Sequence, residues 1–300
     1  MPDKPSLTKY HILAALAIVV YSTIELASKY LGPGVSPFTV TAWRFLIGGL
    51  VILPFALLQL RKARRALKLA EFPALVFLGF LNVCISMLLL QLSVHFGKAS
   101  LSAVLVSSNP LFVSIFAYLL LREKLSLFQL LGLALALAGV ALLILGEGEL
   151  AAARYLNLPL SIALGLGAAV TFGFYLALAK KSLQKHGNAL TNSVSFIGGA
   201  ILLFIYNIIA RKPLFLDFSW QKAGIMLYLG VMVSGIAYLM YFEAMKGIGA
   251  ARTSVYFFLK PVIASLLAVL LLAETLSILQ ILAICVIVSG LALSRFQRAK

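Results

Sequence analysis

Ten apolar stretches, each long enough to cross a bilayer as a helix, run through this chain at approximately 10–31, 37–60, 72–95, 99–121, 127–145, 159–180, 188–210, 222–245, 251–273 and 277–295. A hydrocarbon core of roughly 30 Å takes about 20 apolar residues at the helical rise. Short joins such as LGPGVSP, RKARRALKLAE, HFGKA and LREKLS separate the stretches, which leaves no length for a soluble catalytic domain. Only 11% of the residues are charged, against about a quarter in a soluble chain. The expected class is therefore an all-α polytopic membrane protein. The net charge of +16 does not point to nucleic acid, because the basic residues fall between apolar runs and form no continuous patch.

The first stretch follows a basic start but is too long for a signal-peptide core, so it reads as an uncleaved span. Cys84 and Cys285 both lie inside apolar runs, and neither a disulfide nor a metal site is implied. No G-x-x-x-x-G-K-[ST] loop is present, so ATP does not drive the protein, and no cofactor is expected. Orientation follows from Lys and Arg. A cytoplasmic N-terminus puts Lys4, Lys9, Arg61, Lys62, Arg64, Arg65, Lys68, Arg122, Lys124, Lys180, Lys181, Lys185, Lys246, Arg295, Arg298 and Lys300 inside. Lys29, Lys98, Arg154, Arg211, Lys212 and Lys222 stay outside. Both termini are then cytoplasmic, in a plasma membrane of bacterial inner-membrane type.

The chain repeats itself with a shift of about 151 residues. HFGKASLSAVLVSSNPLFVSIFAYLLLREKLSLFQLLGLALALAGVALL returns as KGIGAARTSVYFFLKPVIASLLAVLLLAETLSILQILAICVIVSGLALS. Pro110 meets Pro261, Glu123 meets Glu274, and Gly139 meets Gly290. Gly48-Gly49 falls on Gly198-Gly199, one residue off that register. The halves are 1–145 and 159–300, joined by a linker at 146–158. Five spans per half is an odd number, so the second half enters the membrane from the opposite side. The expectation is ten transmembrane helices as two inverted five-helix repeats, an arrangement that supports two similar conformations, one open to each side. Duplication without functional meaning is the plainer alternative.

The Pro–apolar run–Glu pattern, NPLFVSIFAYLLLREKLS and KPVIASLLAVLLLAETLS, closes each half, and Gly-rich stretches follow. In this the chain resembles the EamA-type transporters of the drug/metabolite transporter superfamily, over essentially its whole length. The resemblance implies two inverted halves and export or exchange of small metabolites such as amino acids or drugs. Members of the superfamily in organelles carry sugar phosphates or nucleotide sugars. One position departs between the halves: Lys260 precedes the second proline where the first half has Asn109.

Ionisable groups within a span cost roughly 2.5–3.5 kcal/mol each on insertion scales, so each needs a reason. Lys260 lies roughly 14 Å into its span, close to the midplane. Thr253 stands seven residues before it and Ser102 seven before Asn109, nearly two helical turns in each case, and Tyr256 shares the face of Lys260. Both halves therefore present a polar stripe, as helices lining one cavity would. Lys260 reads as the ligand of a substrate carboxylate or phosphate, or else as half of a structural ion pair. Glu25 and Arg44 sit at matching depths on consecutive spans and read as a buried pair. Alternatively Glu25 carries protons, and Lys29, on the same face, competes as its partner. Asn82, Ser86, Tyr21, Tyr175 and Tyr238 are further candidates to line a pocket for an amphipathic or aromatic solute, or else ordinary interhelical contacts. Glu123 and Glu274 read as interfacial capping or gating contacts.

The reading that follows is a secondary transporter exporting a small metabolite, such as an amino acid, by alternating access. Exchange of phosphate esters or other organic anions is the alternative within the class. A channel or structural subunit is the alternative outside it. Three scattered histidines and no H-E-x-x-H argue against an enzyme. The expected partners are a small-molecule substrate and the lipid bilayer, with protons if Glu25 carries them, in a monomer or homodimer.

Overall fold

The computed structural model describes residues 7–32, 34–62, 64, 68–97, 99–123, 125–145, 157–217, 219–272 and 277–295. Among them there is no strand, and the helical segments follow the apolar stretches one for one. We number them α1 (Leu7–Tyr30), α2 (Pro37–Lys62), α3 (Leu69–Phe96), α4 (99–121), α5 (Leu127–Leu145), α6 (Leu158–His186), α7 (Asn188–Ile209), α8 (Trp220–Ile248), α9 (250–272) and α10 (Ile278–Arg295). Among the described residues, seven helices are long and apolar enough to cross a membrane: α1 to α4 and α6 to α8. The outward faces carry large apolar side chains such as Phe55, Leu58, Tyr118, Leu119, Ile208 and Ile209, the surface expected where lipid replaces water.

Helices of the two repeats pack on one another in matching pairs. α2 lies along α7 and α5 along α10, while α1 packs on α8 as α6 packs on α3. Glycines make the first two crossings close. A Cβ on Gly49 would stand 2.7 Å from Ile197 Cγ1, and one on Gly139 would stand 2.7 Å from Ile287 Cγ1. In the absence of a hydrophobic driving force within lipid, such close backbone approach is what associates helices. The α5–α10 pair carries its own apolar cluster, in which Leu133, Ala136, Val140, Ala283, Ile287 and Leu291 meet Val104 and Phe258. The main cluster, running through α1, α2, α6 and α8, is separate.

Irregular backbone recurs at matching places. α3 and α8 pass through π-helical segments at Phe80–Met87 and Leu229–Ala237. α4 is interrupted between Val106 and Asn109, and α9 runs through a 3₁₀ turn at Val255–Phe258. These last two breaks fall just before Pro110 and Pro261, where proline removes a donor from the helical ladder. α1 is also broken, at Ser22 and Thr23. Their hydroxyls donate back to the carbonyls of Ile18 and Val20, at 2.7 Å each. Back-bonding of this kind bends a helix, and Glu25 follows at once in the Ile24–Tyr30 segment.

Candidate functional site

The breaks bring charge into the centre of the bundle. Glu25 of α1, Arg44 of α2 and Lys260 of α9 are each 1% exposed. Lys260 Nζ donates to Glu25 Oε1, and Glu25 Oε2 is buried with no hydrogen-bond partner among the described residues. Arg44 lies within electrostatic range of Glu25, Tyr21 and Tyr238, and Lys260 within range of Arg44. The Nε and Nη2 atoms of Arg44 also lack a partner among the described residues.

Aromatic rings wall the cluster. Tyr21 packs against Tyr238, Phe257 and Tyr241 at centroid distances of 5.3, 5.9 and 6.0 Å. Tyr238 also meets Phe45 and Phe196, and Tyr175 meets Phe172 and Phe242. The hydroxyls of Tyr21, Tyr175 and Tyr241, the Asn82 Nδ2 and the Ser234 Oγ are buried without partners among the described residues. Tyr238 reaches Asn82 Oδ1 only at 3.5 Å. Buried polar groups are normally paired, since each one left bare costs about 1–3 kcal/mol. A concentration of bare donors around two cations and one anion is the composition of a site for a polar solute.

The expected pairing of Glu25 with Arg44 is corrected: the carboxylate goes to Lys260. Depth along each helix agreed for Glu25 and Arg44, but depth says nothing of azimuth, and the bend at Ser22 and Thr23 precedes Glu25 on α1. Lys29 is not its partner either, because its Nζ donates to Gly97 O at 2.7 Å. The polar stripes expected on α4 and α9 do not both face the centre. Ser102 bonds Ser93 at 2.9 Å, in a small network with Ser161. Thr253 donates to Gly249 O of its own helix and Ser86 to Leu81 O. Tyr256 meets His11 Nδ1 at 2.7 Å. A hydroxyl in a low-dielectric interior takes the nearest carbonyl or side chain, which spacing along one helix does not reveal. Asn109 is fully buried, and both its amide atoms lack a partner among the described residues. Tyr21, Tyr175, Tyr238 and Asn82 do lie with the charged residues.

Glu123 links the two repeats through several bonds. Its Oε1 takes a 2.6 Å bond from Lys180 of α6, and its carboxylate accepts the N–H groups of Ala250 and Ala251 at 3.2 Å each. The carboxylate thus caps the start of α9, where negative charge also suits the helix dipole. Its repeat mate Glu274 lies outside the described residues. At the opposite end of the bundle, Ser28, Lys29, Gln91 and His95 line a cavity of about 150 Å³.

A model described as the EamA-like transporter family matches twice, over residues 8–145 and 159–296. An uncharacterized transporter of Clostridium kluyveri is 31% identical over 284 residues, covering 94% of this chain and 91% of the relative. A chloroplastic WAT1-related protein of Arabidopsis thaliana is 26% identical and covers 92% of this chain and 67% of the relative. A crystal structure superposes with a TM-score of 0.74 at 21% identity, over 95% of this chain and 97% of that one, which establishes a shared fold.

Proposed function

Because the chain belongs to the EamA-like transporter family of the drug/metabolite transporter superfamily, and is a multi-pass integral membrane transporter, we propose that it exports a small amino acid or related organic acid by secondary alternating access. Ten helices span the membrane as two inverted halves, 1–145 and 159–300, which rock about the central charged cluster. The observation that supports this most is the buried set of Glu25, Arg44 and Lys260. It is drawn from both repeats and walled by Tyr21, Tyr175 and Tyr238, at a depth where uncompensated charge is expensive.

With the N-terminus cytoplasmic, the Glu123 end faces inward, beside Arg61, Lys62, Lys181, Lys185 and Lys246. A solute carboxylate competes with Glu25 for the cations. Proton coupling through Glu25 belongs to the same proposal. Phosphate esters are a second reading, supported by the nearness of Arg44 and Lys260. Glu25 already occupies one of these cations, so the site suits a carboxylate better than a doubly charged phosphate.

The test is counterflow into proteoliposomes preloaded with amino acids, hydroxy acids, phosphate esters or cationic drugs, with and without a pH gradient. Saturable exchange of one acid class is expected, abolished by Lys260→Ala in protein that still elutes as a single species. Flux that does not saturate would instead identify a pore.

A further inference from the structure

We propose that Arg44 is the carboxylate clamp of the central site and that the carried species is a monoanionic acid bearing a hydroxyl donor, rather than a neutral zwitterion. This rests on the transporter reading above and assigns the chemistry of its solute. Three observations lead to it.

Nε and Nη2 are the two donors along one edge of the guanidinium, the edge that grips a carboxylate with two parallel bonds. Both are buried and lack a partner among the described residues, while the Phe45 ring lies 4.8 Å from Arg44 Cζ. A desolvated fork with neither bond made is poised for a planar anion. Lys260 cannot serve the same purpose while it donates to Glu25.

Charge decides the class. Arg44 and Lys260 against Glu25 leave the buried cluster with one positive charge in excess. A monoanion brings the loaded site to neutrality. A zwitterion leaves the excess where it was, in surroundings that penalise it.

Glu25 Oε2 supplies the third observation, being a buried acceptor without a partner. A carboxylate on Arg44 and a hydroxyl on Glu25 together satisfy both poles. The unpaired hydroxyl of Tyr21 lies within electrostatic range of Arg44 as a further donor, and its ring meets that of Tyr241, whose hydroxyl is also unpaired among the described residues.

The test is equilibrium binding to the purified full-length protein in detergent, by calorimetry, with phenyllactate, phenylalanine and phenethylamine. These share one ring and differ in net charge. Phenyllactate should bind tightest. Arg44→Lys keeps the charge but loses the fork, and should weaken phenyllactate by about tenfold or more while leaving phenethylamine unchanged. Arg44→Gln, free of buried charge, serves if Arg44→Lys does not elute as a single species. Phenylalanine binding as tightly as phenyllactate overturns the monoanion assignment. Unchanged phenyllactate binding in the Arg44 variant overturns the clamp, and so does failure of the wild type to bind any of the three. Saturable counterflow of some other solute would in that last case leave the transporter reading standing. Intact, Arg44-dependent binding without any counterflow would overturn the carrier reading and keep the clamp.

Discussion

Lys29 and Lys180 stand 151 residues apart, at equivalent places in the two repeats, and they do different things. Lys180 reaches across to Glu123 of the other repeat, and the same carboxylate fastens the start of α9. Among the described residues, Lys29 donates to a backbone carbonyl of its own repeat, beside the cavity that Gln91 and His95 line. One end of the bundle is thus latched between repeats by charge; at the other, the mate of Glu123 is Glu274, which lies outside the described residues.

The centre is also unequal. At the shifts of 151 and 150 residues, the repeat mates of Glu25, Arg44 and Lys260 are Leu176, Val194 and Asn109, none of them charged. A symmetric scaffold therefore holds an asymmetric site, in which the helices are duplicated and the charge belongs to particular residues.

The largest effect should come from dividing the central pair. Lys260→Ala leaves Glu25 bare and should cost about 3–5 kcal/mol, measured as thermal unfolding in detergent, with exchange abolished. Replacing both partners, as Glu25→Gln with Lys260→Met, should restore most of the stability and none of the exchange. The symmetric part of the fold should behave symmetrically. Gly139→Ala and Gly290→Ala each press a Cβ against the backbone of the facing helix, and each should cost about 1–3 kcal/mol. Unequal losses would show that the crossing is not equivalent from its two sides.

The latch should matter less to stability than to access. Glu123→Gln should cost about 1–2 kcal/mol, yet speed thiol labelling of Ala251→Cys in a background without Cys84 and Cys285. Labelling at the wild-type rate would mean that the end stays closed without its charge. Smallest is Asn109→Leu. Both its amide atoms are buried without partners among the described residues, so an apolar replacement should be neutral or stabilising by up to about 1 kcal/mol. A marked loss of exchange in that variant would make the two repeats more alike at the centre than their charges suggest.

Much of the scaffold was legible beforehand. Apolar length located the helices, and the repeat brought Pro110 onto Pro261, where the backbone does break in both halves. The presence of Glu25, Arg44 and Lys260 inside spans was readable, because few residues of those types occur there. Their pairing was not. Glu25 and Lys260 are 235 residues apart, and which way each faces depends on the break at Ser22 and Thr23 and on the 3₁₀ turn before Lys260. Tyr256 shows the same limit. Its place on the face of Lys260 pointed to the centre, yet its hydroxyl goes to His11.

The crossing of α5 with α10 carries a mechanical consequence. Gly139 faces Ile287, and Gly290 faces the backbone of Ala136 and Gly132, so little side chain lies between the two helices to be rearranged. Sliding one past the other would drive Ile287 into the backbone of α5, which fixes a single register. A joint of that kind allows turning but not translation. In the rocking proposed above, this crossing would hold the two repeats in one register while the contacts at the ends of the bundle rearrange.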